Sequence, residues 1–167
     1  YIVRDDKITD VISIGIGGSN IGQLLCCNSL INKINPECKI HFISGLDSKV
    51  IINILLSLNP KKTLCIVSSK SFSTSETIEN INIMKNWYTK NYLLIDKYFF
   101  AITCSIKKAL MYGIKKKNIF YFNKEVGGRY SITSTIGFII SIQIGFNNFM
   151  KLVDGFNVMD EHFKNTS

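Results

Sequence analysis

Continuous apolar runs alternate along the chain with stretches in which apolar residues recur every three or four positions. Residues 11–16 are apolar except for Ser13 and end in glycines, the pattern of a strand buried on both faces. Residues 20–31 follow with Ile21, Leu24, Leu25 and Asn28 at helical spacing, and Asn35-Pro36 punctuates. The same alternation predicts strands over 39–44, 63–68, 98–103 and 119–122. It predicts helices over 48–58, halted by Asn59-Pro60, over 74–87 or 74–88, and over 105–112. Beyond Gly127-Gly128 the pattern is helical from 134 to 163, with breaks expected at 145–148 and near Gly155.

Five strand signals joined by helical ones predict a doubly wound α/β fold: a five-stranded parallel sheet flanked by helices, because parallel neighbours need long crossovers and those crossovers cover the faces. Residues 11–167 read as one domain with C-terminal helices from about 134, and residues 1–10 read as a leading arm. Ligands of such folds gather at the carboxyl ends of the strands. The first and third predicted strands end in the two most unusual local sequences of the chain.

At the end of the first lies Gly15-Ile16-Gly17-Gly18-Ser19-Asn20-Ile21-Gly22. Glycines allow a tight turn and a close approach of backbone to ligand, and the helix that follows offers free N–H groups. The dinucleotide fingerprint needs glycine where Asn20 stands, and the P-loop needs Gly-Lys where Gly22-Gln23 stands. A ligand-binding loop of neither kind and a tight turn with no ligand both fit. At the end of the third strand lies Ser68-Ser69-Lys70-Ser71-Phe72-Ser73-Thr74-Ser75-Glu76-Thr77. Ser73 and Glu76 have capping-box spacing, which places residues 69–74 at a helix N-terminus, with Ser73 expected as the N-cap. The surplus of small hydroxyl side chains, with Lys70 among them, suits a phosphate monoester better than a flat ring. A third segment, Val126-Gly127-Gly128-Arg129-Tyr130-Ser131, is expected at a strand end and holds one of the chain's two arginines. A fixed guanidinium there could stabilise developing negative charge, or could simply cap a helix or pair with a carboxylate.

Composition narrows the classes. The 167 residues (18.9 kDa) carry a net charge of +8 and are 46% hydrophobic and 19% charged, which excludes intrinsic disorder. Of 20 basic residues only Arg4 and Arg129 are arginine, so the preferred reader of phosphate forks and guanine edges is nearly missing and a nucleic-acid partner is not expected. The apolar stretch 136–146 is broken by Ser141 and Gln143 and is too short for a membrane span. Five cysteines without C-x-x-C spacing suggest reduced, buried thiols in a cytoplasmic protein. His41 reads as structural, His162 as a weak acid–base candidate, and no cluster has metal-ligand spacing.

In this order and spacing the three segments, together with Ile144-Gly145-Phe146 and Met159-Asp160-Glu161-His162-Phe163, resemble the glucose-6-phosphate isomerase family over nearly the whole chain. The resemblance implies a sugar isomerase (SIS) domain of flavodoxin-like architecture and a sugar-phosphate ligand, with glucose 6-phosphate and fructose 6-phosphate as substrates of an aldose–ketose isomerase of glycolysis and gluconeogenesis. By resemblance Gly18 and Ser19 contact the sugar and Ser69, Lys70, Ser71 and Thr74 the phosphate, with Phe72, Ser73 and Gly128 in the same binding segments. Arg129 would stabilise the enediolate-like intermediate. The resemblance implies a homodimer as the full-length enzyme, and no cofactor or metal. The chain departs from the family pattern at Ser71 and Ser73, where threonine is more usual, at Asn20, where many members carry Asp, and over Asn123-Lys124-Glu125, which is less aromatic and less acidic than usual. The family's catalytic Glu, ring-opening His and a further Lys lie in later sequence, so the isolated chain is expected to bind weakly and turn over nothing. A non-catalytic SIS module that senses sugar phosphates is the alternative. A nucleotide-binding dehydrogenase domain is disfavoured by the broken fingerprint and by Ser44-Gly45-Leu46 where an acidic ribose ligand belongs.

Overall fold

The computed structural model describes residues 2–3, 6–30, 32 and 37–166, and leaves the side chains of Ile2, Val3, Asp6 and Arg129 undescribed. Ile2–Val3 (β1) and Asp6–Lys7 (β2) form a short antiparallel pair. The main sheet comprises Asp10–Gly15 (β3), Lys39–Ile43 (β4), Thr63–Ser68 (β5), Phe99–Thr103 (β6) and Ile119–Tyr121 (β7), all parallel, in the order β4-β3-β5-β6-β7. Counted within the sheet this is the order 2-1-3-4-5 of doubly wound, flavodoxin-like domains, whose strand order reverses between the first and third strands. Here that switch point lies between β3 and β5, paired from Asp10↔Thr63 to Gly15↔Ser68.

Burial explains why the strand signals were legible. β5 and β6 are buried at every position and β3 at all but Asp10, so these central strands read as continuous apolar runs. The edge strands β4 and β7 are only partly buried. The main core joins Ile12, Ile14, Ile66, Val67, Phe99 and Ile102 from the sheet to Ile81, Met84 and Tyr88 from the third helix. The Tyr88 hydroxyl donates to the Thr63 carbonyl at 2.9 Å, satisfying the one polar atom of a fully buried ring.

The helices are Ile21–Ser29 (α1), Ser48–Leu56 (α2), Ser75–Lys90 (α3), Ile95–Tyr98 (α4), Ile106–Met111 (α5), Phe138–Ile144 (α6) and Phe146–Thr166 (α7). Asp47 caps α2, accepting from the N–H groups of Lys49 and Val50. Four expectations need correction. α1 does not bury the face marked by Ile21 and Leu25, which are 64% and 63% exposed; it buries Gln23 and Cys27. α3 begins one residue late, with Thr74 as N-cap, and the Ser73–Glu76 capping box does not form because the Ser73 hydroxyl donates to Ser71 instead. The helical region breaks at Gly145, where φ is +81°, but α7 runs through Gly155 without interruption. Arg129 lies not at a strand end but in a 3-10 turn, Gly128–Thr133, well beyond the last residue of β7.

α7 rests on the domain only through its first half. Phe149 and Leu152 pack against Cys27, Ile140 and Ile144, whereas Val158, Met159 and Phe163 are half or more exposed. No helix among the described residues is long and apolar enough to cross a membrane.

Candidate functional site

The three candidate segments meet at the carboxyl ends of β3 and β5. The glycine segment leaves β3 and makes a 3-10 turn, Gly17–Ser19, before α1. It lies directly against the third segment: a Cβ built on Gly18 would stand 2.4 Å from both the carbonyl carbon and oxygen of Gly128. Only hydrogen fits between these two backbones. Ser131 fixes the contact, donating to the Gly128 carbonyl at 2.7 Å with the Gly18 carbonyl at 3.4 Å.

The hydroxyl-rich segment leaves β5 and reaches the third segment through Lys70, whose Nζ donates to the Val126 carbonyl at 3.0 Å. Its shape depends on two buried residues, Phe72 and Ser69. Phe72 adopts a left-handed φ of +50°, uncommon for a bulky side chain, and is 1% exposed, with its ring tilted against Tyr112 at 6.0 Å between centroids. Ser69 is 5% exposed; its N–H donates to the Ile102 carbonyl and its hydroxyl accepts from the Phe72 N–H at 3.1 Å. The Lys70 carbonyl is held in turn by the Cys104 N–H and the Thr103 hydroxyl at the end of β6.

The expected binding residues therefore divide. Ser69 and Phe72 are buried and shape the loop. Lys70, Ser71 and Ser73 are exposed, and Thr74 is half-buried at the start of α3. Gly18 and Ser19 are half-buried and Gly128 is exposed beside them. The backbone of Arg129 falls in this cluster, while its side chain, expected to carry charge stabilisation, lies outside the described residues. At the first turn of α3, Glu76 accepts from its own backbone N–H and from the Ser75 hydroxyl, and these bonds hold its carboxyl below the usual carboxylate range. One of the N–H groups of that terminus is thus occupied, and the Ser73 hydroxyl is engaged with Ser71.

Sequence reasoning passed over a buried polar group beneath these loops. Gln23 is fully buried on α1, accepting from the Ser13 hydroxyl of β3 at 3.1 Å and donating to the Ile136 carbonyl at 3.2 Å, with the Ser68 hydroxyl of β5 at 3.5 Å. Its signal was in the sequence: Ser13 is the single polar break in the first strand's run.

The remaining weak candidates fall elsewhere. His41 on β4 bonds Asp10 on β3 at 2.8 Å, away from the loops. His162 lies on the exposed half of α7. All five cysteines are free; burial pushes the Cys65 thiol up strongly and that of Cys27 up to about 12, so neither is a nucleophile near neutral pH. Among the described residues no group of His, Cys, Asp and Glu is placed to hold a metal ion. A cavity of about 650 Å³ lies under α6, against Val11, Leu64, Ile66, Phe100 and Phe120, but its lining is apolar and its rim charges, Lys7 and Glu37, pair with each other at 3.1 Å. It offers a sugar phosphate few donors, whereas the loops at the switch point offer many.

A 2-1-3-4-5 parallel sheet with a glycine turn and a hydroxyl-rich turn at its switch point defines a doubly wound domain of the sugar isomerase type. The phosphoglucose isomerase family profile matches residues 3–167, and the chain belongs to that family. It is 43% identical over 161 residues to the glucose-6-phosphate isomerase of Helicobacter acinonychis (strain Sheeba), covering 95% of this chain and 30% of that protein. It is 43% identical over 163 residues to that of Buchnera aphidicola subsp. Schizaphis graminum, covering 96% of this chain and 29% of that protein. A crystal structure of a glucose-6-phosphate isomerase from Chlamydia trachomatis superposes with a TM-score of 0.82 at 26% identity, over 93% of this chain and 30% of that one. The chain thus spans about three tenths of the length of the relatives it matches.

Proposed function

We propose that the chain supplies the sugar- and phosphate-binding part of a glucose-6-phosphate isomerase, which interconverts glucose 6-phosphate and fructose 6-phosphate in glycolysis and gluconeogenesis. The observation that carries the reading is the convergence of the three segments at one sheet end, Gly18 against Gly128 and Lys70 on the Val126 carbonyl. The phosphate would take the Lys70 ammonium and the hydroxyls of Ser69, Ser71 and Thr74, in a loop shaped by Phe72 and Ser73. The sugar would lie along Gly18 and Ser19 toward Gly128. In the reaction a base takes the proton from C2 of the open-chain aldose to give an enediolate, a proton moves from the O2 hydroxyl to O1, and the conjugate acid of the base delivers a proton to C1 to give the ketose. The enediolate between them carries negative charge, which the Arg129 guanidinium would stabilise. The base and the ring-opening groups belong to sequence outside these 167 residues, so this chain alone should bind ligand weakly and not turn it over. The described residues act as one unit, with Ile8 already in the core and Asp10 in the sheet rather than in a separate arm, and the full-length enzyme is a cytoplasmic homodimer.

The test is to follow backbone amide shifts of the chain while adding fructose 6-phosphate, with free fructose and inorganic phosphate in parallel. Residues 69–74 should move with both phosphates, and Gly18 and Ser19 with the sugar phosphate only. Silence at both loops refutes the site, and isomerase turnover by the isolated chain refutes the division of labour.

A further inference from the structure

Gln23 is the one described side chain whose hydrogen bonds reach the supports of all three segments. It is carried by α1, which follows the glycine turn, and it takes the hydroxyl of Ser13 on β3. It faces Ser68, the residue immediately before Ser69 of the phosphate loop, and it donates to the carbonyl of Ile136 in the turn Thr135–Gly137 that continues the Arg129 segment. The orientation of its amide is dictated by chemistry: a carbonyl oxygen can only accept, so the amide nitrogen must face Ile136 and the amide oxygen must face the Ser13 hydroxyl. A buried amide whose hydrogen bonds join three separate chain segments fixes their mutual spacing, since displacing any one leaves a polar group unpaired away from water.

We propose that Gln23 is a positioning residue that holds the phosphate loop, the glycine turn and the Arg129 segment in the register a sugar phosphate requires. This rests on the binding reading given above. Inorganic phosphate needs only residues 69–74, whereas a sugar phosphate must meet the phosphate loop and the glycine turn at once. Loosening the joint therefore penalises the sugar phosphate selectively.

The experiment compares Gln23→Met, which keeps the length and removes the hydrogen bonds, with wild type. The control is Tyr88→Phe, which deletes a buried hydrogen bond at the far end of β5. For Q23M the Kd for fructose 6-phosphate should rise on the order of tenfold, that for inorganic phosphate should barely change, and Y88F should bind both as wild type does. Equal binding of fructose 6-phosphate by Q23M and wild type overturns the proposal. So does proportional loss of both ligands, the mark of general destabilisation. If wild type shows no response at residues 69–74, the phosphate reading itself fails and this inference with it. Should Q23M not fold, the wild-type Gln23 side-chain amide is the readout: its protons should exchange slowly and shift with fructose 6-phosphate but not with inorganic phosphate, and an unresponsive amide overturns the proposal.

Discussion

Gly18→Ala tests the backbone contact on which the site depends. The new methyl group would stand 2.4 Å from the Gly128 carbonyl carbon and oxygen and 2.9 Å from its Cα, where ordinary contact begins near 3.4 Å. The obstacles are backbone atoms, so no rotamer change relieves them, and the two segments must separate by about 1 Å. Overpacking of this kind costs about 1–3 kcal/mol. With no flexible side chain to yield, the upper end is expected, and for a chain of this size about 3 kcal/mol lowers Tm by about 6–12 °C. A displacement of about 1 Å at a binding site can cost about 100-fold in function, so fructose 6-phosphate binding should fall much further than Tm alone suggests. The structure supplies its own comparison. A Cβ on Gly128 would meet Gly18 Cα at 3.9 Å, an ordinary contact, so Gly128→Ala should shift Tm by no more than about 2 °C. Thermal melts followed by circular dichroism, with ligand titrations on the same samples, read both quantities. Equal melting of G18A and wild type, or equal destabilisation by the two alanines, would refute the reasoning, because it would mean that the loops do not touch through Gly18.

Phe72→Ala removes a ring that is 1% exposed and should destabilise by about 3–5 kcal/mol, measured by urea denaturation; a smaller loss together with intact phosphate binding would show that the left-handed turn does not depend on that ring. For Cys27, burial first and the neighbouring Cys26 second raise the thiol from 9.0 to about 12. The native state therefore keeps its proton where the unfolded chain releases it, so this contribution to stability is complete below pH 9 and is lost as the pH rises toward 12. Cys27→Ala should flatten the alkaline arm of the stability–pH curve, and an unchanged slope would count against the burial of that thiol.

The central strands β3, β5 and β6 were legible because burial on both faces leaves its mark along the strand. β5 falls where its apolar run predicts, and the others within a residue or two. Helix faces were less legible. Ile21 and Leu25 have the spacing of a buried stripe, yet α1 turns Gln23 inward because Ser13, Ser68 and the Ile136 carbonyl require an amide there. Gly155 signalled a break, but its φ is not in the left-handed region and nothing crowds it, so it costs the helix only about 1 kcal/mol relative to alanine, too little to interrupt a helix of 21 residues. The capping box failed for a similar reason: spacing admits Ser73 as a cap, but the left-handed turn at Phe72 comes first, and Ser73 bonds Ser71.

Each of these differences comes from a requirement placed on one segment by another distant in sequence. The same holds for the site. Read locally, Gly17-Gly18 is a tight turn in which only Gly17, with a φ of +57°, needs glycine for its backbone; Gly18 has no left-handed φ to demand it. The explanation for Gly18 is pairwise: it must lack a side chain because the Gly128 carbonyl occupies that space, and with Lys70 on the Val126 carbonyl this gathers the glycine turn, the hydroxyl-rich turn and the Arg129 backbone into one cluster. Motifs of this kind are specific as an ordered set and weak one at a time, because what the set encodes is a contact between segments 110 residues apart in sequence. A substitution that restores a local turn propensity while adding a methyl group at Gly18 should therefore improve the turn and still damage the site.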